Sequence, residues 1–234
     1  MAISVGGFTA FSATDYPGSL SAVIFCQGCP WRCRYCHNPQ LIPTIRHPDI
    51  ANISWRQIYS FLQGRKNLLD AVVFSGGEPT LQRNLFDAIK QVKLLGFRVG
   101  LHTSGACLKS LAQVLPLLDW IGFDIKASRN RYQSVTQILK SGNTAWKNLD
   151  VVMQSKVDHE VRSTVHPLLL SRDEILKLAK SLSAIGVTKY VLQEFRTTGC
   201  QDPELNAIHS RDYLDRDLIS ELKQLFPSFE VRRA

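Results

Sequence analysis

The stretch Ala22-Val-Ile-Phe-Cys-Gln-Gly-Cys29-Pro-Trp-Arg-Cys33-Arg-Tyr-Cys36-His-Asn-Pro39 joins a short apolar run to a segment rich in cysteine. The apolar run predicts a buried β-strand, and the cysteine segment predicts a loop at the end of that strand. Three cysteines of the loop stand in the spacing Cys-x3-Cys-x2-Cys. Three thiolates can hold a four-iron four-sulfur cluster with one iron left open, although such clusters normally take four cysteines. A metal site that lacks one protein ligand can bind a reacting molecule there.

A fourth cysteine, Cys26, precedes this loop and raises two alternatives. The four cysteines form two Cys-x2-Cys pairs, which suggest structural zinc, but zinc ribbons separate such pairs by about 15–20 residues. Here only three residues lie between Cys29 and Cys33. A ferredoxin-type cluster is the other alternative, but the order of the spacings does not fit the bacterial ferredoxin run. We therefore predict that Cys29, Cys33 and Cys36 are the metal ligands and that Cys26 lies near them without ligating.

The composition of the chain narrows its class. Its 234 residues are 44% hydrophobic, which suffices for one sizeable core. We expect no membrane partner because no apolar stretch approaches the roughly 18 residues of a span, and the N-terminus lacks the basic segment of a signal peptide. The six cysteines are therefore interpreted as reduced thiols of a cytoplasmic protein. The net charge of +8 is scattered and no nucleic-acid-binding motif is visible, so no nucleic-acid partner is expected.

Strand-like and helical patterns alternate along the chain. The predicted strands are residues 22–25, 71–74, 98–101, 120–123, 161–165 and 190–192. Helices are predicted after Ser54, before Gly96, and between the capping box of Ser171 and Glu174 and the stop at Gly186, with others at 108–118, 143–154 and 213–225. This alternation predicts βαβ units and a parallel sheet. We expect an α/β fold, a partial (β/α)6 TIM-like barrel, in a single domain over residues 1–234, with residues 1–20 as a leader before the first barrel strand.

Polar residues follow every predicted strand, at the end where the active site of a parallel barrel lies. After the cysteine loop they are Ser75-Gly76-Gly77-Glu78-Pro79, His102-Thr103-Ser104-Gly105, Asp124-Ile125-Lys126, His166-Pro167 and Gln193-Glu194-Phe195-Arg196. Two adjacent glycines let the backbone approach a ligand closely. Asp124 and Lys126 are two residues apart, so their side chains point to the same side of a strand. We expect the site to be built from these residues.

The cysteine loop, with Tyr35 before its last cysteine and Gly76-Gly77-Glu78 one strand later, resembles the radical S-adenosylmethionine (SAM) enzymes. The resemblance implies a [4Fe–4S] cluster whose open iron binds the amino and carboxylate groups of SAM. It also implies a set of cofactor-binding residues at the strand ends, namely Tyr35, Gly76, Gly77, Glu78, His102, Thr103, Ser104, Asp124, Lys126, His166 and Arg196. For His102, His166, Arg196 and the Asp124–Lys126 pair, a structural role at a strand end stays the alternative.

Further segments are similar to one family of glycyl-radical enzyme activases, the activating proteins of anaerobic ribonucleoside-triphosphate reductase. They are Asp15-Tyr16-Pro17-Gly18, Phe25-Cys-Gln-Gly-Cys29, Cys36-His-Asn-Pro39, Val73-Phe-Ser-Gly-Gly-Glu-Pro79, Asp124-Ile-Lys126 and Gln193-Glu-Phe-Arg196. The resemblance implies a radical SAM oxidoreductase that reductively cleaves SAM to a 5′-deoxyadenosyl radical and generates a glycyl radical on its partner. The implied partners are the glycyl-radical subunit of that reductase and an electron donor of the flavodoxin or ferredoxin type.

Three alternatives stay open on the sequence. The chain could activate another glycyl-radical enzyme of the pyruvate formate-lyase type, since that activase shares the Cys-His-Asn stretch. It could be a small-molecule radical SAM enzyme such as 7-carboxy-7-deazaguanine synthase, or a non-enzymatic iron–sulfur or zinc scaffold. Cys107 and Cys200 are isolated and cannot supply a second cluster; we interpret them as buried small apolar side chains.

Overall fold

The computed structural model describes residues 3–45, 53–208 and 213–233. Its strands are β1 Val5–Ser12, β2 Ser21–Cys26, β3 Ala71–Gly76, β4 Arg98–Thr103, β5 Trp120–Asp124, β6 Asp158–Val165, β7 Lys189–Glu194 and β8 Ser228–Arg232. They form one sheet in that order. The chain divides into two compact units, the first of Met1–Pro30, Gln40–Gly122 and Ser155–Asp158, the second of Trp31–Pro39, Phe123–Gln154 and His159–Ala234. A single domain over residues 1–234 stays a prediction.

The sheet confirms the predicted parallel α/β architecture. Strands β2, β3 and β4 pair in parallel in the first unit, and β6, β7 and β8 do so in the second. All six predicted strands are present, as β2 to β7. Two strands escape the sequence analysis: β1, which lies inside the predicted leader and pairs with β2 in antiparallel fashion, and β8. Neither contains an uninterrupted apolar run, since β1 includes Gly6-Gly7 and β8 reads Ser-Phe-Glu-Val-Arg.

The helices are α1 Trp55–Gln63, α2 Leu85–Leu94, α3 Leu108–Val114, α4 Tyr132–Thr136, α5 Ser141–Gln154, α6 Arg172–Ala184, α7 Pro203–Asn206 and α8 Arg216–Leu225. The capping box of Ser171 and Glu174 is present at the start of α6, as predicted. α3 ends four residues before the predicted boundary because Pro116 lies in a following 3-10 turn and proline cannot continue the helical hydrogen bonding. α8 begins three residues late because Asp215 is its N-cap.

The leader of the first unit packs onto the strands that follow it. Tyr16 is buried in a cluster with Val23, Val73 and Trp120, and its ring lies 5.4 Å from that of Trp120. Gly100 lies in the middle of β4, and a Cβ there would approach Cδ2 of Tyr16 to 3.0 Å. The missing side chain of the glycine therefore makes room for the tyrosine ring against the sheet.

In the second unit, the two faces of the sheet have different chemistry. Tyr190 of β7 packs its ring 4.8 Å from that of Phe226, on the apolar face. Glu160, Arg162 and Thr164 of β6 share the opposite face because strand side chains alternate, and this face is therefore polar. Two residues of the predicted site, His166 and Arg196, follow the carboxyl ends of β6 and β7.

Candidate active site

The last residue of β3, Gly76, and the glycine that follows it lie against the backbone that leads into the cysteine loop. Gly76 has a φ of 116°, and a Cβ there would lie 2.3 Å from the nitrogen of Cys26. A Cβ on Gly77 would lie 2.4 Å from the carbonyl oxygen of Gly28. The amides of Gly77 and Glu78 donate to the carbonyls of Cys26 and Gly28, both at 2.9 Å. Only glycine can occupy these two positions without moving the backbone.

Glu78 is fully buried, and its carboxylate is surrounded by donors. Oε1 accepts from the amide of Thr80 at 3.0 Å, its hydroxyl at 2.7 Å and the Thr103 hydroxyl at 2.6 Å. Oε2 accepts from the amide and the hydroxyl of Ser104, at 2.9 and 2.6 Å. Because an ionised carboxylate offers about four lone-pair sites, this group is already saturated by the protein. The arrangement favours a role in holding Thr103 and Ser104 over direct contact with a cofactor ammonium.

His102 has both ring nitrogens occupied within the first unit. Nε2 donates to the carbonyl oxygen of Asp15 at 2.8 Å, and the hydroxyl of Ser75 lies 3.4 Å from Nδ1. The ring also meets Trp120 edge to face, with the centroids 5.5 Å apart. These contacts favour the structural alternative for His102, since the side chain joins the leader to β3 and β4.

The two ends of the cysteine loop are fastened together in the first unit. Gly28 and Cys29 donate their amides to the carbonyls of Leu41 and Ile42, at 2.8 and 3.0 Å. The buried Gln27 side chain donates to the carbonyls of Gln40 and Pro43, at 3.0 and 2.8 Å. Sequence analysis did not single out Gln27, and its only signal is a long polar side chain directly before the loop.

Lys126, Asp124 and Arg162 form a charged group in the second unit. Arg162 Nε lies 2.9 Å and Lys126 Nζ 3.7 Å from the carboxylate of Asp124. Burial alone would lower the pKa of Lys126, but Tyr35, Cys33 and Asp124 outweigh burial and raise it. Of these neighbours, the carboxylate of Asp124 is the one that carries a negative charge at neutral pH, and it favours the charged form of Lys126. Asp124 and Lys126 lie close together, as predicted. Arg162 was not predicted as a member of this group, because it lies inside β6 and belongs to no motif that the sequence displays.

Tyr35 brings the cysteine loop to this charged group. Its ring centroid lies 5.5 Å from Lys126 Nζ, and its buried hydroxyl has no hydrogen-bond partner among the described residues. Burial raises the pKa of the neighbouring Cys33 to about 11, while the charge of Lys126 opposes this rise. An orphaned hydroxyl beside a retained cation fits a site for a polar, anionic ligand, because buried polar groups otherwise find partners.

His166 and Arg196 have different surroundings. His166 is buried, accepts from the amide of Leu168 at 3.2 Å and meets the Phe195 ring edge to face; burial lowers its pKa. These contacts favour the structural alternative for His166. Arg196 is exposed and lines a cavity of about 270 Å³ with His37, among others. Its guanidinium is therefore accessible to a ligand.

The thiols of the chain fit the open cluster that the sequence implies. Cys29, Cys33 and Cys36 are each partly exposed, whereas Cys26 is buried, and burial strongly raises the pKa of the Cys26 thiol. Of these four thiols, Cys26 is the one that is buried and least accessible to iron, which suits the non-ligating role predicted for it. Within residues 3–45, 53–208 and 213–233, no three His, Cys, Asp or Glu residues gather around a point for a single metal ion; in a cluster, each thiolate binds a different iron.

Comparison with known proteins gives consistent matches. The family model of the radical SAM superfamily matches residues 23–182. A pyruvate formate-lyase-activating enzyme of Clostridium pasteurianum is 32% identical over 213 residues, covering 87% of this chain and 85% of the relative. A Methanocaldococcus jannaschii protein with the provisional name of glycyl-radical enzyme activating enzyme is 28% identical over 211 residues, with the same coverage of 87% and 85%.

The fold is also found among solved structures. SuiB of Streptococcus suis, bound to its precursor peptide SuiA, superposes with a TM-score of 0.64 at 12% identity, over 90% of this chain and 48% of SuiB. The chain thus spans about half the length of SuiB. With the family-model match, this likeness confirms the fold class predicted from the sequence. None of the helices in the described part of the chain has the length and apolarity needed to cross a membrane.

Proposed function

The chain belongs to the radical SAM superfamily, with a [4Fe–4S] cluster and SAM as its cofactors, and we propose that it activates anaerobic ribonucleoside-triphosphate reductase. It is an enzyme of the glycyl-radical activating type, like relatives that it matches over most of their length. The reductase as target is supported by the six segments quoted from the sequence, from Asp15 to Arg196. A flavodoxin- or ferredoxin-type electron donor and a cytoplasmic location are part of the same proposal.

Cys29, Cys33 and Cys36 are proposed to hold the cluster. When bound, the cluster and SAM would supply the one-electron reductive cleavage of SAM, to methionine and a 5′-deoxyadenosyl radical able to take a hydrogen atom from the target glycine. The residues of this chain need no general base for that chemistry. Their tasks are to fix the cofactors and to admit a glycine-containing loop of the partner.

Lys126, with Asp124 and Tyr35, is proposed to bind SAM in the second unit. The support is the buried ammonium of Lys126, paired with Asp124, next to the unpartnered Tyr35 hydroxyl, a combination suited to a carboxylate or a ribose. Arg196 adds an exposed guanidinium at the end of β7.

Gly76, Gly77, Thr103 and Ser104 are proposed to contact SAM through backbone and hydroxyl groups in the first unit. Glu78 is proposed to act on SAM mainly by holding the two hydroxyl side chains.

The observation that carries the proposal is the three-cysteine loop in a chain with activating-enzyme relatives. Its test is electron paramagnetic resonance (EPR) of the reconstituted chain with SAM, a reductant and purified candidate partners. A glycine-centred doublet with anaerobic ribonucleoside-triphosphate reductase, absent with pyruvate formate-lyase, is expected. A doublet only with pyruvate formate-lyase would reassign the target. SAM cleavage that never gives a protein radical with either partner would reject both and favour a small-molecule substrate.

A further inference from the structure

A loop after β7 contacts the second half of the cysteine loop, Trp31–Pro39, within the second unit. Residues 195–206, here called the clamp, include α7. Arg34 Nε lies 2.7 Å from Oδ2 of Asp202, and Arg34 Nη2 lies 2.7 Å from the carboxylate of Glu204. The other oxygen of Asp202 accepts the amides of Glu204 and Leu205, both at 3.1 Å. One carboxylate thus caps α7 and pairs with Arg34, so the position of the helix is tied to that of the loop.

Contacts beyond the ion pair bring the two backbones together. Cys200 Sγ donates to the carbonyl of Arg34 at 3.5 Å, and His37 Nε2 donates to the carbonyl of Arg196 at 3.0 Å. A Cβ on Gly199 would lie 2.3 Å from the carbonyl oxygen of His37. The clamp therefore touches the residues on both sides of Cys36.

The opposite side of this half-loop is fixed as well. The amides of Arg32 and Arg34 donate to the carbonyls of Thr136 and Val135, at 2.9 and 3.0 Å. Cys33 lies between these two anchored residues, and the Cys36 amide donates to the Cys33 carbonyl at 3.0 Å. The backbone around both cysteines is held by protein contacts alone.

We propose that the clamp is a positioning element for the cluster, in which Arg34, held by Asp202 and Glu204, aligns Cys33 and Cys36 for iron. The inference rests on the proposed function insofar as it takes both cysteines as cluster ligands. Residues that hold metal-ligating side chains in place raise the affinity for the metal, because the ligands then lose less conformational freedom when the metal binds. The partner acids lie 168 and 170 positions from Arg34 in the sequence, so cluster retention depends on a distant segment.

The test compares Arg34→Gln and Asp202→Asn with a matched pair of variants. Arg172 makes the same two-acid contact in the same unit, to Asp215 at 2.6 Å and Glu221 at 2.9 Å. Asp215 caps α8 as Asp202 caps α7. Arg172→Gln and Asp215→Asn therefore remove an ion pair and a helix cap of the same kind, and they calibrate the general effect on folding.

Two readouts separate positioning from folding. In the iron-free chain, alkylation of Cys33 and Cys36 by iodoacetamide, mapped by mass spectrometry, should be faster in the Arg34 and Asp202 variants and unchanged in the control pair. In the reconstituted chain, release of iron to a chelator should be about 10-fold faster in the same variants, the low end of the range for outer partners of metal ligands. Arg34→Lys should retain part of the function that Arg34→Gln loses, because it keeps the charge next to Asp202 and Glu204.

Alkylation and iron release in the Arg34 and Asp202 variants that equal those of the control pair would overturn the proposal. So would an Arg34→Lys variant that releases iron as fast as Arg34→Gln. If the wild-type chain holds no cluster, the ligand assignment fails instead, and the alkylation of the iron-free chain still decides whether the clamp orders the loop.

Discussion

The Cα of Gly76 faces the backbone of Cys26 so closely that a Cβ would lie 2.3 Å from the Cys26 nitrogen and 2.6 Å from its carbonyl oxygen. Gly76 ends β3, and Cys26 ends β2 and precedes the cysteine loop. The first glycine of the Gly-Gly-Glu motif thus has a packing function that precedes any contact with a cofactor.

Gly76→Ala is expected to destabilise the chain severely. A non-glycine residue at such a positive φ costs about 1–3 kcal/mol, and the contact with fixed backbone adds to this. Gly96→Ala is the matched control, because Gly96 has a φ of 95° and nothing within 4 Å of its added Cβ. Urea unfolding should show a clearly larger loss for Gly76→Ala than for Gly96→Ala. Equal losses would mean that the backbone relaxes freely around residue 76.

Glu78→Gln is expected to weaken SAM binding and to leave the cluster in place. The amide that replaces one carboxylate oxygen faces donors from Thr80, Thr103 or Ser104, so the free energy of unfolding should fall by about 1–3 kcal/mol. Iron content checks that the cluster is retained, urea unfolding measures the loss of stability, and equilibrium dialysis measures SAM binding. Thr80→Val removes a single hydroxyl donor and should have a smaller effect on SAM. Unchanged SAM affinity in Glu78→Gln would remove Glu78 from the cofactor site.

The assignment of the thiols predicts two classes of cysteine variant. Cys29→Ala, Cys33→Ala and Cys36→Ala should each lose the cluster and SAM cleavage together, because a cluster with two protein ligands is not retained. Cys26→Ala should keep both, since its thiol is buried whereas those of the other three are partly exposed. Iron and sulfide analysis after anaerobic reconstitution measures the outcome. Loss of the cluster in Cys26→Ala would show that the ligand set is wrong.

Glu160 should give the second unit a measurable acid sensitivity. It accepts from Arg232 at 2.8 and 3.1 Å and lies 3.3 Å from Lys189 Nζ. Burial alone would raise the pKa of this carboxyl, but Arg232, with Arg162 and Lys189, lowers it from the ordinary 4.5. Because the folded-state pKa is the lower one, the stabilisation is fully present above about pH 4.5 and is lost as the pH falls through the folded-state value.

Glu160→Gln is therefore expected to lower the free energy of unfolding by about 2 kcal/mol at neutral pH, and the difference from wild type should shrink below about pH 4.5. Urea unfolding across the pH range measures it. Glu221→Gln, whose carboxylate is half exposed, should lose less than about 1 kcal/mol. A pH-independent difference between wild type and Glu160→Gln would contradict the ion-pair explanation.

Local chemistry explains which parts of this molecule can be predicted from its sequence. Residues 22–24 and 71–74 are fully buried in the sheet and Phe25 is partly buried, so an uninterrupted apolar pattern identifies both runs as strands. Gly76, Gly77 and the Asp124–Lys126 pair can be predicted as well, because each motif consists of residues that are close together in the sequence. β1 has no apolar run that would identify it as a strand. Its extended conformation is stabilised by hydrogen bonding to β2, which the sequence does not display.

Contacts between distant segments account for what the sequence did not reveal. Glu78 obtains two of its partners from residues 25 and 26 positions away, so the local sequence gives no sign that its carboxylate is buried and saturated. Arg34 and Asp202 are ordinary surface-type charges until the fold brings them to 2.7 Å. His166 is at a strand end as predicted, yet it is covered by Phe195.

The amides of Gly28 and Cys29, bonded to the carbonyls of Leu41 and Ile42, give the cysteine loop a closed neck, which the side chain of Gln27 reinforces. The main-chain bonds of the neck do not depend on which side chains stand between its ends. The spacing of Cys33 and Cys36 from the neck is therefore a property of loop length, and a one-residue insertion between Cys29 and Cys33 should displace both thiols while leaving the neck closed.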